Sequence, residues 1–580
     1  MEAQLRRLVR NRILLVTGFL VVAAVAIVGR LFSLQVTGHR RLEKAAAEQI
    51  TDEIQFLPKR GVIADRAGRQ LAVDVEVDSI FGVPPQVTDK SGVARQLAAE
   101  TGGDVSRYAR ELAKKKSFVW LERRVSPAVS ERVAARKWSG VGFLKENRRF
   151  YPQREFGAHV LGFAGLDNKG LAGIELGYEQ DLWRDAFVFA VERDARGKDL
   201  LVSGPPMDAL REGDELNLSI DAVIQFIAQE ELARGVEEAG AAGGSIVVLE
   251  PRSGEVLAMA NVPFFNPNEP GSCSQDAMRN RAIADALEPG SIMKTFLLSA
   301  ALDEKAVTRD TVFFCENGAM PFQGGTLHDV HPYGALTVEG VIAKSSNIGS
   351  TKIAMRLGAE NYHRYLKAFG FGAKTGVDLP GEASGLLRPP SQWSGRSIAS
   401  VAIGQEISVT PLQITAAFAA AVNGGVLHRP RVARELVSPE GTVIKRYDPQ
   451  EVRRVISPET SRQVVDILVK VVEEGTGKAA AVPGYTVGGK TGTAQKYDPA
   501  LRTYSGSKFL ASFIGVAPAR DPRLVVLVMV DEPHGAIYGG SVSAPVFQRV
   551  VQRTLRYLNV PPEDPEGVLV VSTGAAGAGG

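Results

Sequence analysis

Apolar positions along the chain fall into three patterns, and each predicts a different kind of element. Residues 13–28 carry no charge and are almost wholly apolar, with Arg6, Arg7, Arg10 and Arg12 before them, Arg30 after, and Leu31, Phe32, Leu34 and Val36 extending the run. A bilayer needs ~20 such residues, which the run reaches with its flank. The segment is therefore expected to span a membrane once, with the arginines holding the N-terminus in the cytoplasm and the remainder outside. Strict alternation at residues 215–220 predicts a strand, and Asp221 caps a helix expected to reach about Ala239. Short apolar runs at 244–249 and 255–260 flank Arg252, Ser253 and Gly254 and predict a hairpin; two more, at 510–516 and 524–530, are joined through Pro518 and Pro522. Helical spacing recurs at 292–302, 338–344, 348–357 and 544–558. This order predicts an α/β (α+β) multi-domain chain whose main domain has a central antiparallel sheet with helices on both sides.

The N-terminal half reads differently. Residues 38–58 predict a polar helix leading into a strand, and residues 60–72 a hairpin turning at Arg66, Ala67 and Gly68. Residues 90–140 are mostly helical and charged, with Phe118, Val119, Trp120 and Leu121 as an apolar anchor, and residues 149–152 and 170–175 return to extended, turn-rich sequence. A helical head is thus expected as an insertion between strands. From Pro561 onward a Gly/Ala-rich stretch is expected to be disordered.

Composition narrows the classes. The 580 residues suffice for two or three domains, and 44% of them are hydrophobic, enough to bury cores. A net charge of +3 argues against a nucleic-acid surface. Cys273 and Cys315 are the two cysteines, which excludes a disulfide framework or a cysteine-based zinc site; a single disulfide and two separate buried thiols both stay open. The seven histidines show no metal spacing, and no cofactor or metal is expected. Residues 475–478, Gly-Thr-Gly-Lys, lack the first glycine and the final Ser/Thr of a phosphate loop and read as a turn.

The candidate chemistry centres on Ser291. Pro289 and Gly290 break the chain and a helical run follows, so Ser291 sits at a helix N-terminus, where free N–H groups and the dipole can hold an oxyanion. Lys294, three residues on, shares its face. A serine is a weak nucleophile until its proton is taken, which a desolvated lysine of lowered pKa can do. Alone, such a pair is a helix cap with a surface lysine. A second pair, Ser505 and Lys508, lacks the Pro-Gly start and the apolar helix, and is not assigned chemistry. Company changes the odds: Ser345, Ser346 and Asn347 follow between two helical runs, and Lys490, Thr491, Gly492 and Thr493 follow in a glycine-rich strand. Thr491 and Thr493 share a face by the period of two, and their hydroxyls suit a carboxylate. Lys490 points the other way and must reach the site around the strand edge.

The ordered set Ser-x-x-Lys, Ser-x-Asn, Lys-Thr-Gly resembles that of the penicillin-binding proteins. Within them the chain is similar to the class B transpeptidases. Residues 60–68 look like that family's Arg-Gly-x-Ile-x-Asp-Arg-x-Gly motif, residues 401–413 and 423–425 match its pattern, and the likeness runs from Arg30 to about Leu558. A second Lys-Thr-Gly, at Lys374, sits in a loop similar to one the family carries and is given no catalysis; Arg60, Asp65 and Arg66 are expected to form structural salt bridges.

The resemblance implies a cytoplasmic tail and retained anchor at 1–37, an elongated β-rich pedestal or dimerisation domain with its head at 38–214, a transpeptidase domain at 215–560 and a tail at 561–580. It implies that Ser291 attacks the D-Ala-D-Ala amide of a peptidoglycan stem peptide, with Lys294 as general base. Ser345 then relays a proton, Asn347 bonds the substrate backbone, Lys490 bonds near Ser345, and Thr491, Gly492 and Thr493 hold the substrate. The Thr493 N–H would complete an oxyanion hole with that of Ser291. β-Lactams are the expected inhibitors. The expected partner is a membrane glycan polymerase of the cell-division machinery, because the chain shows no glycosyltransferase domain. Residues 280–291 and 345–349 look more like the septal enzymes than the elongation type. The alternatives are an elongation transpeptidase, a D,D-carboxypeptidase or β-lactamase, a non-catalytic scaffold, and a signal peptide cleaved near Ala26.

Overall fold

The structure is a computed structural model and describes residues 1–43, 51–56, 58–116, 118–184, 187–193, 199–200, 212–498 and 503–565. The chain divides into two units, Met1–Pro58 with Arg184–Arg211, and Lys59–Trp183 with Glu212–Gly580. In the first, an α-helix spans Glu2–Phe32 and continues as a π-helical turn, Ser33–Thr37. It is long and apolar enough to cross a membrane, with none of its apolar window buried. Strands Thr51–Phe56, Phe187–Arg193 and Asp199–Leu200 form a small antiparallel sheet in the same unit. The expected helix between residues 38 and 50 falls mostly outside the described residues, as does the tail from residue 566.

In the second unit the central sheet has five strands: β1 (Gly243–Leu249), β2 (Val256–Val262), β3 (Gly488–Asp498), β4 (Thr503–Ala517) and β5 (Leu524–Asp531). Their order is β2-β1-β5-β4-β3, all neighbours antiparallel, so β3 is an edge. Five helices matter to it: α1 (Ala222–Glu238), α2 (Lys294–Asp303), α3 (Asn347–Leu357), α4 (Pro411–Val422) and α5 (Gly539–Tyr557). The period of two sorts the strand side chains. Val247, Leu249, Ile514, Val525 and Leu527 share a core with Phe296, Ile348 and Phe418, whereas Ile246, Val248, Phe513, Val526 and Val528 share another with Ile224, Leu232 and Phe547. Both faces are covered, which is why these strands read as continuous apolar runs.

α1 is capped as expected, the Asp221 carboxylate accepting from the Val223 and Ile224 N–H groups. α5 begins at Gly539, five residues before the expected start; Pro545 lies inside the helix rather than limiting it. Asn347 is the first residue of α3, so the loop before it is shorter than expected, with Ser346 as N-cap. Residues 90–140 are mostly helical, in the helices Lys90–Thr101, Val105–Ala113 and Pro127–Ala135, with one strand among them, Val119–Val125, that holds the apolar anchor from Val119 on.

A second sheet joins segments remote in sequence. It runs Val443–Arg446, Ala433–Val437, Glu215–Leu218, Ile63–Ala64, Gln70–Gly82 and Val119–Val125, with Val141–Phe150 also pairing Gln70–Gly82. The division expected at 214/215 therefore runs through one sheet. Arg60 and Arg149, the latter on the strand Val141–Phe150, are buried around one carboxylate: Arg60 Nε lies 2.5 Å from Glu175 Oε2 and Arg149 Nε 2.6 Å from Oε1. Arg60 also meets Glu179 at 2.6 Å and Arg149 meets Asp74 at 3.4 Å. The Asp65 side chain accepts from the Ala67, Arg69 and Ala222 N–H groups and pairs with Arg69, and Arg66 reaches Glu255 at 3.8 Å. Cys273 and Cys315 are both free thiols.

Candidate active site

Ser291 lies in a one-turn 3-10 helix, Gly290–Met293, that runs directly into α2. Residues three apart eclipse in a 3-10 turn, so Ser291 and Lys294 are stacked on one face. Phe296 keeps α2 seated through edge contacts with Phe369 and Phe371, ring centroids 5.0 and 4.9 Å away. The nucleophile turn is clamped from both sides. Leu287 and Val409 exchange backbone bonds of 2.9 Å, and Gly290 N–H donates to Gly404 O at 3.2 Å. A Cβ at Gly404 would stand 2.0 Å from Gly290 O, so only glycine fits there. On the other side Gly492 packs against Pro289, where a Cβ would stand 2.9 Å from its carbonyl oxygen. The half-buried Ser291 is thereby fixed beside the edge strand β3.

The three motifs meet on the two lysines. Lys294 is fully buried; its Nζ donates to Ser345 O at 2.6 Å and Asn347 Oδ1 at 2.8 Å, and lies 3.2 Å from Ser345 Oγ. Burial pushes its pKa down to about 7, against the opposing pull of the Asp329 carboxylate. A neutral amine has two N–H groups and a lone pair. The two short bonds take the N–H groups, which leaves the lone pair for a hydroxyl proton. Lys490, equally buried, donates to Ser345 Oγ at 3.0 Å and Thr491 O at 3.1 Å. Burial, and then the charge of Lys294, push its pKa well down. Ser345 Oγ thus stands between two amines. Ser345 itself has φ +59°, a left-handed conformation unusual for serine, which turns its side chain out of the helix pair.

Asp329 went unread in the sequence because it belongs to no motif. Its carboxylate accepts from Ser346 Oγ at 2.6 Å, from Ile348 N–H at 3.0 Å and from Asn347 N–H. It therefore neutralises the free amides at the start of α3 and fixes the loop that carries Ser345 and Asn347. Asn347 Nδ2 donates to His328 O at 2.9 Å, which settles its amide orientation toward Lys294. Thr491 and Thr493 share a face of β3, with Thr491 buried and Thr493 half-buried. Thr476, from the turn first compared with a phosphate loop, places its Oγ1 2.8 Å from Thr491 Oγ1. The spare motifs lie elsewhere in the fold. Ser505 bonds its own strand's Ser507 and Lys508 N–H groups. Thr375 N–H and hydroxyl both donate to Glu382, which holds the Lys374 loop as a turn.

Such a site can activate a serine with a neutral lysine, pass a proton through a second serine, and bind a peptide along the edge strand β3. Comparison with known proteins agrees with this chemistry. The penicillin binding protein transpeptidase domain matches residues 244–552, and the penicillin-binding protein dimerisation domain matches residues 55–209. The chain is 35% identical over 573 residues, 97% of its length and 95% of the relative's, to a probable peptidoglycan D,D-transpeptidase PenA of Neisseria meningitidis. It is 33% identical to the peptidoglycan D,D-transpeptidase FtsI of Escherichia coli K12, covering 95% of this chain and 92% of that one. Among solved structures it superposes on penicillin binding protein 3 of Mycobacterium tuberculosis in complex with aztreonam, with TM-score 0.69 and 30% identity over 89% of this chain and 99% of that one. The chain belongs to the class B penicillin-binding proteins, the serine D,D-transpeptidases of peptidoglycan.

Proposed function

We propose that Ser291 is the acylated nucleophile of this transpeptidase and that the two buried lysines divide the proton handling. Neutral Lys294 takes the Ser291 hydroxyl proton as Oγ attacks the carbonyl between the two D-Ala residues of a stem peptide. The N–H groups of Ser291 and Thr493 face the developing oxyanion. Ser345, held between Lys294 and Lys490, hands its proton to the departing D-Ala nitrogen and is reprotonated from the lysines. The acyl-enzyme ester is then attacked by an amine of a neighbouring stem, which loses its proton by the same route in reverse. Asn347 bonds the substrate backbone, Gly492 lets the peptide lie close to β3, and Thr491 and Thr493 bind the terminal carboxylate. The observation that carries this reading is the convergence of all three motifs on Ser345 Oγ, 3.2 Å from one lysine and 3.0 Å from the other.

Residues 1–37 are proposed as cytoplasmic tail and anchor, 38–214 as the pedestal, and 215–560 as the transpeptidase domain outside the cytoplasm. The partner is a membrane glycan polymerase that supplies strands, docking on the anchor and pedestal. The septal division machinery is the favoured setting, because the segment before Ser291 resembles the septal enzymes, and FtsI of Escherichia coli aligns over 95% of this chain. One assay tests the reaction: incubate the protein with stem-peptide substrate and acceptor, and follow released D-Ala together with cross-linked dimer. Equal appearance of both supports transpeptidation. Release of D-Ala without dimer identifies a carboxypeptidase and rejects the proposal.

A further inference from the structure

The two hydroxyls assigned to the substrate carboxylate are both bonded from behind. Thr493 Oγ1 accepts from the Gly539 N–H, at the start of α5, at 3.2 Å. A Cβ at Gly539 would stand 2.0 Å from Ser512 O, so this close approach requires glycine. Thr491 Oγ1 lies 2.8 Å from Thr476 Oγ1, and Lys490 Nζ points to it at 3.4 Å. A hydroxyl has one hydrogen and two lone pairs. An oxygen that accepts from behind keeps its hydrogen for the cleft. Thr493 is set this way by a backbone amide that can only donate. Thr491 is set this way only when Thr476 is the donor of their pair; were Thr491 the donor, its hydrogen would point away from any carboxylate.

The turn holding Thr476 is fixed against the catalytic elements. Thr476 N–H donates to Ala343 O at 3.3 Å, at the end of the helix before Ser345, and Gly477 N–H donates to Val471 O at 2.9 Å. Thr476 itself is exposed.

We infer that Thr476 is a positioning residue for carboxylate recognition: its hydroxyl donates to Thr491 Oγ1 and aims the Thr491 hydrogen at the terminal carboxylate of the stem peptide, as Gly539 does for Thr493. This rests on the proposed roles of Thr491 and Thr493. The test compares acylation rate constants of the full-length chain and its Thr476→Val and Thr476→Ser variants with benzylpenicillin and with its methyl ester, whose carboxylate is blocked. Misaiming one hydrogen bond to a charged group is expected to cost Thr476→Val about tenfold or more with the free acid. The ester rate should stay within about twofold of wild type, and Thr476→Ser should restore the free-acid rate. Equal losses with both compounds, or no loss with either, overturn the inference. A wild-type protein acylated by neither compound fails at the earlier step and rejects the proposed function as well.

Discussion

Replacing Lys294 by Met is expected to leave a folded protein whose acylation by penicillin is slower by about 10³-fold or more, the upper part of the range for losing a general base. The separation of folding from chemistry follows from the burial of the amine. Methionine has a similar volume and removes the cost of burying an ionisable amine, which offsets the loss of the bonds to Ser345 O and Asn347 Oδ1, so thermal unfolding should stay close to the wild-type temperature. The wild-type pH profile carries the same signature. The base must be neutral, and burial places the Lys294 pKa at about 7, so the acylation rate should climb as pH rises through that value and level off above it. Because Lys490 lies beside it and is also shifted downward, the apparent value belongs to the pair. Stopped-flow acylation of wild type between pH 5.5 and 9 measures it; a flat profile would show that the proton goes elsewhere.

Glu175→Ala is expected to cost about 3–5 kcal/mol of stability, the range for removing one partner of a buried ion pair. The reason is stoichiometric. The Glu175 carboxylate has no exposed surface and divides its oxygens between Arg60 and Arg149, and the Tyr151 hydroxyl donates to one of them at 3.2 Å. Burial alone would raise its pKa, but the two guanidinium groups hold it below the ordinary carboxylate value. Its contribution is therefore present above the unfolded carboxylate pKa and is lost as pH falls through the lower folded value. Without the carboxylate, Arg149 keeps only Asp74 and Arg60 only Glu179 as ion-pair partners among the described residues. Urea unfolding of the variant should show the loss, and a change below about 1 kcal/mol would contradict the network's structural role.

What could be read in the sequence tracks how local each interaction is. Ser291 and Lys294 were legible because one helical turn fixes their relation. The strands of the central sheet were legible because both of their faces are apolar. The strand's period of two says only that Lys490 must come around the strand edge; Ser345 as its partner is implied by the family resemblance alone. Asp329 was not legible: it acts on a loop 17 residues away and carries no pattern of its own. Thr476 reads as part of a plain turn because its partner, 15 residues on, is brought to it only by the fold. The early start of α5 carries no helical signal, because Gly539–Ser543 is rich in glycine and serine, whereas the structure has Gly539 donating to the site from the helix start. The pairing of Glu215–Leu218 with both Ile63–Ala64 and Ala433–Val437 joins three distant segments, and no local rule predicts such a register.

The central claim concerns one oxygen atom, and covalent labelling addresses it most directly. The protein is incubated with fluorescent penicillin, digested, and the labelled peptide sequenced by mass spectrometry. The account predicts a single adduct, on Ser291, absent from Ser291→Ala. A label on any other residue, or one that survives in Ser291→Ala, would contradict it.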